Sequence, residues 1–243
     1  MREIVVERRI FGRRLRVRRA VPSSWGEMSE EGMRAFGEVL AGKADDVIFF
    51  KGMFSLPWWV SLSPWQMYCI MDCMGFLTDM SAGIDRFLIG SLCGGRLSAP
   101  ERRLNGMTLM QWMMADTYFG KYARHESDEM LDLFVAHLYT VKGVSFEKAV
   151  DVDAVRGESR GVKLAVAVNF GLVKNWLSKG FPFLFPEGDG DGKGGTVKGT
   201  QWLDVFDAFV GDDVAMIDRY ERLPVLTAFR ILNRRILESK KRR

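Results

Sequence analysis

The segment from Gly161 to Ser178 admits few folds. It contains Leu164-Ala165-Val166-Ala167-Val168, then Phe170, Leu172, Val173, Trp176 and Leu177, so it is apolar nearly all round. A helix with no face for water belongs at the centre of a bundle. Gly180 is placed to end it as a left-handed cap. The valine density also suits a buried strand from Val162 to Phe170, which is the competing reading.

The segments before it carry helical signals. Ser24 and Glu27 have the spacing of a capping box, and Met33, Phe36, Val39 and Leu40 follow at helical period. A second helix is expected over Asp45 to Phe54. Ser63-Pro64 opens a third, striped by Met67, Ile70, Met71, Met74 and Leu77. Thr108 and Gln111 form another capping spacing, ahead of a helix to about Tyr122 with Trp112, Ala115, Phe119 and Tyr122 on one side. Ser127 is expected to cap the next helix, where the charges of Asp128 and Glu129 suit the N-terminus, and Leu131, Phe134, Val135 and Leu138 complete the pattern.

The two ends differ from this body. Glu3 to Ile10 is β-branched, Phe11-Gly12 supplies a turn, and Arg14-Leu15-Arg16-Val17-Arg18 alternates, which predicts a hairpin with Leu15 and Val17 opposite the arginines. A lone hairpin is marginal, so it is expected to lie on the helices. Residues 188–199 hold six glycines and read as a linker. Beyond it, Trp202, Val205, Phe206 and Phe209 form one amphipathic face, and Val225, Leu226, Phe229, Leu232 and Ile236 form another after Pro224. The expected fold is mainly α: a multi-helix bundle over 21–187, a basic β-hairpin over 1–20, and a small helical unit with a basic tail over 200–243.

Charge follows the same division. Residues 1–19 carry a net +6 and residues 230–243 another +6, so the 210 residues between them carry −8. Two basic ends flank an acidic body, and a single averaged isoelectric point hides this. Three cysteines, an odd and sparse set, fit a reducing, cytoplasmic setting rather than a disulfide framework. The arginine-rich start lacks the apolar core and small-residue cleavage site of a secretory signal. Gly52 to Met71 has no charge over a membrane-span length, but Pro57 and Pro64 interrupt it and Trp58, Trp59 and Trp65 sit in its middle. It reads as buried core.

Searches for chemistry fail one by one. A phosphate loop ending at Gly192-Lys193 needs glycine at 187 and a hydroxyl at 194, where Glu187 and Gly194 stand. A calcium loop from Asp189 would put Lys193 in the ligand shell and Thr200 where a bidentate glutamate belongs. Cys69 and Cys73 are one turn apart on a methionine-rich helix, without a second pair for zinc, and read as core. His125 lies in a charged break, and His137 reads as a packed or boundary residue. Asp72, Asp85 and Asp116 interrupt apolar helices and read as partnered charges. No cofactor, metal or catalytic set is expected.

Four segments look familiar as a set: Val21-Pro22-Ser23-Ser24-Trp25-Gly26-Glu27-Met28; Leu104-Asn105-Gly106-Met107-Thr108 through Ala115-Asp116-Thr117-Tyr118-Phe119 and Tyr122; Leu131 to Tyr139; and Phe181-Pro182-Phe183-Leu184-Phe185-Pro186. Their order resembles a family of tailed-phage and prophage proteins encoded among tail morphogenesis genes, over most of residues 20–186. The shared motifs are caps, aromatic core positions and a helix stop. The resemblance implies a non-enzymatic tail assembly accessory or chaperone-like protein whose partners are phage tail or other structural proteins. The partner-binding candidates, read from charge, are Arg13, Arg14, Arg16, Arg18, Arg19, Arg234, Arg235, Lys240 and Lys241. Self-association with the acidic body and nucleic acid are the other ligands those residues fit.

Overall fold

Helical periodicity in the sequence becomes helix along most of the chain. A computed structural model describes residues 2–10, 13–144, 146–185, 202–211 and 214–241. The strands β1 (Arg2–Ile10) and β2 (Arg13–Val21) come first, then helices α1 (Glu30–Leu40), α2 (Asp46–Met53) and α3 (Pro64–Cys73). Short strands β3 (Ser91–Leu92) and β4 (Leu97–Ser98) precede α4 (Leu109–His125) and α5 (Asp128–Leu138), and β5 (Thr140–Val141) follows. The chain continues as α6 (Phe146–Ala149), α7 (Val152–Arg156), α8 (Arg160–Gly180), α9 (Trp202–Val210), α10 (Ile217–Glu221) and α11 (Val225–Lys241). The glycine-rich segment 188–199 and the Phe11-Gly12 turn lie outside the described residues.

The apolar segment is a helix, not a strand. Ser159 caps α8, accepting from the Val162 amide at 3.1 Å, and Ala165, Val166, Phe170, Leu172, Val173 and Leu177 are buried. Its end differs from the expected glycine cap. Gly180 remains helical, the Phe181 amide donates to the Leu177 carbonyl at 2.8 Å, and Asn233 of α11 accepts from the amides of Phe183 and Leu184. A side chain from a distant helix thus caps the turn.

α1 crosses α8 at backbone contact. A Cβ added at Gly37 would meet the Gly161 carbonyl and lie 2.8 Å from the Ala165 methyl, so only glycine permits this approach. The expected Ser24 box does not form. Glu27 instead accepts from the Ser23 amide at 2.9 Å, and Ser29 caps α1 through the Gly32 amide at 3.0 Å. At α3 the box is complete, with Ser63 and Gln66 bonding reciprocally. At α4 it is half made: Thr108 accepts from the Gln111 amide, while the Gln111 side chain donates to the Leu138 carbonyl.

The buried charged and amide side chains of the bundle are paired, whereas the indole N–H of Trp112 is buried without a hydrogen-bond partner. Asn169, fully buried on α8, accepts from the Leu88 amide at 2.6 Å and donates to the Arg86 carbonyl at 3.2 Å. Lys163 bonds Asp132 at 2.6 Å, both side chains being buried. Asp116 accepts from Lys174 at 2.7 Å and from the Trp202 indole at 2.7 Å. Asp85 pairs with Arg102 and Arg103. A buried ion satisfied in this way accounts for Asp116 within α4, whereas Asp85 lies outside the helices and is half-buried, and Asp72 on α3 is exposed.

The C-terminal helices share the core of the body. Trp112 on α4 packs against Phe170, Phe185 and Phe229 with ring centroids 5.0, 6.2 and 5.5 Å apart. Leu109 donates to the Leu223 carbonyl at 2.9 Å, and Val225 to the Met107 carbonyl at 3.0 Å, tying the start of α4 to the start of α11. A three-stranded sheet of β3, β4 and β5, two residues per strand, is a further element. Strands that short carry no readable alternation.

Candidate interaction site

Strand parity sorts the hairpin residues. β1 and β2 pair antiparallel from Arg2 opposite Val21 to Ile10 opposite Arg13. Opposed residues share a face, so Ile4, Val6, Arg13, Leu15, Val17, Arg19 and Val21 lie on one side and Glu3, Val5, Glu7, Arg9, Arg14, Arg16 and Arg18 on the other. Arg13 and Arg19 therefore share the face of Leu15 and Val17, against the simple alternation expected. Ile4, Val17 and Val21 are buried on the body. Arg19 fastens the hairpin there, donating to the Phe54 carbonyl at 2.8 Å and the Ser55 carbonyl at 3.3 Å.

The outer face is a row of guanidinium groups. Arg14, Arg16 and Arg18 are exposed, and Glu7 lies among them, 3.1 Å from Arg16 and 3.6 Å from Arg14. Arg13 is exposed on the inner face beyond the buried residues.

The C-terminal candidates are placed differently. Arg235 donates to the Phe209 carbonyl at 2.9 Å and lies 5.2 Å from the centre of that ring. Lys240 sits 5.6 Å from the Phe183 ring, and Arg234 is 3.8 Å from Glu238. Arg235 and Lys240 thus touch the body although both are exposed, as Lys241 is.

A second surface was missed by sequence reasoning. Trp58 is 81% exposed, Trp65 71% and Tyr68 64%, so the uncharged segment Gly52 to Met71 is not wholly core. Its buried members are Met53, Phe54, Leu56, Val60 and Ile70. Trp65 and Tyr68, three residues apart on α3, stack with centroids 5.7 Å apart. Cys69 shares this exposure, which corrects its core reading, while Cys73 is half-buried and packs against the core. The sign available in the sequence was the wheel of α3, where Trp65 and Tyr68 lie opposite Met67, Ile70 and Met74. Among the described residues no helix is long and apolar enough to cross a membrane.

A third feature adjoins the hairpin. An open groove of about 420 Å³ between α1 and α2 has an apolar floor including Ala35, Ile48 and Gly52, with Glu31 at its side. Glu38 also lines it, but its carboxylate accepts from the Ser159 hydroxyl and lies against Gly161 of α8. Arg34, also in its wall, is held by Glu30 at 2.9 Å and the Ser91 carbonyl at 2.7 Å. Val39, Leu40 and Val47 are exposed nearby on the same two helices. No group of three or more histidine, cysteine, aspartate or glutamate side chains among the described residues is placed to hold a metal ion. His125 is exposed, and His137 is half-buried against Tyr118, with ring centroids 4.9 Å apart.

No protein-family model, curated protein or solved structure matches the chain.

Proposed function

We propose that the chain is a non-catalytic assembly protein, as its resemblance to tail morphogenesis proteins over most of residues 20–186 implies, and, from its charge, that it binds acidic surfaces of other proteins through its arginine hairpin. The observation that carries this reading is the way the hairpin is held. Ile4, Val17 and Val21 of its inner face are buried and Arg19 is bonded to the backbone at Phe54 and Ser55, while Arg14, Arg16 and Arg18 face outward. Successive outer arginines on a strand stand about 7 Å apart, a spacing that presents each guanidinium to a separate carboxylate. Exposed ion pairs contribute only about 0–1 kcal/mol each, so the row acts by number and is sensitive to salt.

Nucleic acid is the second reading, since the same row neutralises phosphates and releases counterions. Glu7 ranks it second: a carboxylate within the row, engaged by Arg14 and Arg16, suits a surface of mixed sign better than a polyanion. The test is the triple variant Arg14→Gln, Arg16→Gln and Arg18→Gln, which leaves Arg19 in place. Tail assembly in a phage host, or capture of tail proteins from its lysate, is expected to fall sharply. Unchanged assembly sinks the reading. Tight duplex binding by the parent, steep in salt and absent from the variant, transfers the hairpin to nucleic acid.

A further inference from the structure

We propose that the surface around the hairpin is self-complementary, and that its occupant is a second copy of this chain, the hairpin of each copy lying along the α1–α2 groove of the other. This rests on the reading of the hairpin as a protein-binding arm. Both halves of the contact are visible on one molecule. The arm offers Arg14, Arg16 and Arg18 outside, with Leu15 only half-buried on its inner face. The groove offers an apolar floor with the exposed Glu31 beside it, and Asp45 and Asp46 are exposed at the start of α2.

Their placement fits a two-fold axis. Ser55 lines the groove, and its carbonyl accepts from Arg19 at the root of the hairpin. Basic arm and acidic groove therefore adjoin across one residue. In a two-fold interface residue i meets j while j meets i, so neighbouring surfaces of opposite sign make both contacts at once. Trp58, three residues past Ser55 and mostly exposed, is the aromatic anchor at this junction, of the kind that dominates binding at interfaces.

The carboxylates also argue against other occupants. A nucleic acid or an anionic lipid surface drawn to the arm would meet Glu31, Asp45 and Asp46 beside it. A second copy matches both signs.

The experiment is sedimentation velocity on the full chain from ~1 to ~100 μM. It is run in 0.1 M and 1 M salt, between which the screening length falls from about 10 Å to about 3 Å. The parent is expected to form a dimer in low salt that weakens in high salt. Trp58→Ala should weaken it by at least about tenfold. Two charge-reversed chains, one Arg14→Glu, Arg16→Glu and Arg18→Glu, the other Glu31→Lys and Asp46→Lys, should each be monomeric with the parent's helical circular dichroism. Mixed in equal amounts they should recover the dimer, because each acidic arm then finds a basic groove. A parent that stays monomeric throughout, whether or not it binds nucleic acid or lipid, overturns the proposal, as does a mixture that recovers nothing. A monomeric parent whose arginine-to-glutamine variant still fails in tail assembly sinks self-pairing alone and leaves the proposed function standing.

Discussion

Asn169 is fully buried, yet both ends of its amide are used, one by the Leu88 amide and one by the Arg86 carbonyl. It holds the extended segment before β3 against the middle of α8. Asn169→Ala would leave the buried Leu88 amide and the part-buried Arg86 carbonyl without this partner and is expected to lower stability by about 1–3 kcal/mol, measured by urea unfolding. His137 supplies a pH dependence. Burial holds its imidazole below the ordinary range, against a smaller opposing pull from its hydrogen bond to the Leu133 carbonyl. The unfolded chain then takes up the proton more readily than the folded one. Stability from this group is intact above the ordinary histidine range near pH 6.5 and is lost as the pH falls through it. Glu27 and Asp79, whose carboxyls are lowered by hydrogen bonds from Ser23 and Ser81, lose their contribution only in the acid range of carboxylates, about pH 4 and below. The drop in urea midpoint between about pH 7.5 and 5.5 should therefore shrink in His137→Phe, and an unchanged drop would discount the burial of His137 as its source.

At the scale of elements, the α1–α8 crossing is the most demanding contact. Substituting alanine for glycine in an exposed helix stabilises by up to about 1 kcal/mol. Gly120 on α4 has open space around its Cβ position and should follow that rule. Gly37 should do the opposite, because its added methyl meets the backbone of α8, which moves only if the helix moves. Gly37→Ala is expected to cost about 1–3 kcal/mol. Thermal melts of the two variants check the contrast, and two shifts of the same sign would refute the crossing geometry. The hairpin depends on the body in a similar way. Two strands alone are marginal, and Ile4, Val17, Val21 and Arg19 supply what the pairing lacks.

At the scale of the whole molecule, the cluster around Trp112 joins the two ends of the bundle. Phe170 comes from α8, Phe185 from the chain after it and Phe229 from α11. Asn233 caps the turn that follows α8, and Trp202 bonds Asp116. A chain cut after residue 200 would expose Trp112, leave the Asp116 carboxylate short of a donor and uncap that turn. It is expected to lose its cooperative melt and near-ultraviolet circular dichroism while keeping much of its helical signal. A melt as sharp and as high as the parent's would show that the C-terminal helices are an independent unit after all.

Local chemistry alone determined most of the helices here. Ser63-Pro64, Thr108 and Ser159 each stand at a helix start, because caps and apolar period act within a few residues. Local pattern also indicated the hairpin and its arginine row. Tertiary structure decided what lies far apart in sequence. It set which side of α3 faces water, so Trp65 and Tyr68 are surface and Ile70 is core, although all three are apolar. It brought Arg19, Arg235 and Lys240 against the body while Arg14, Arg16 and Arg18 stay outward, although the charges are alike. It formed the α1–α2 groove, whose wall exists only once the two helices meet. The physical reason is the same throughout: periodicity states that a face is apolar or charged, and only the partner brought against it determines whether that face is buried.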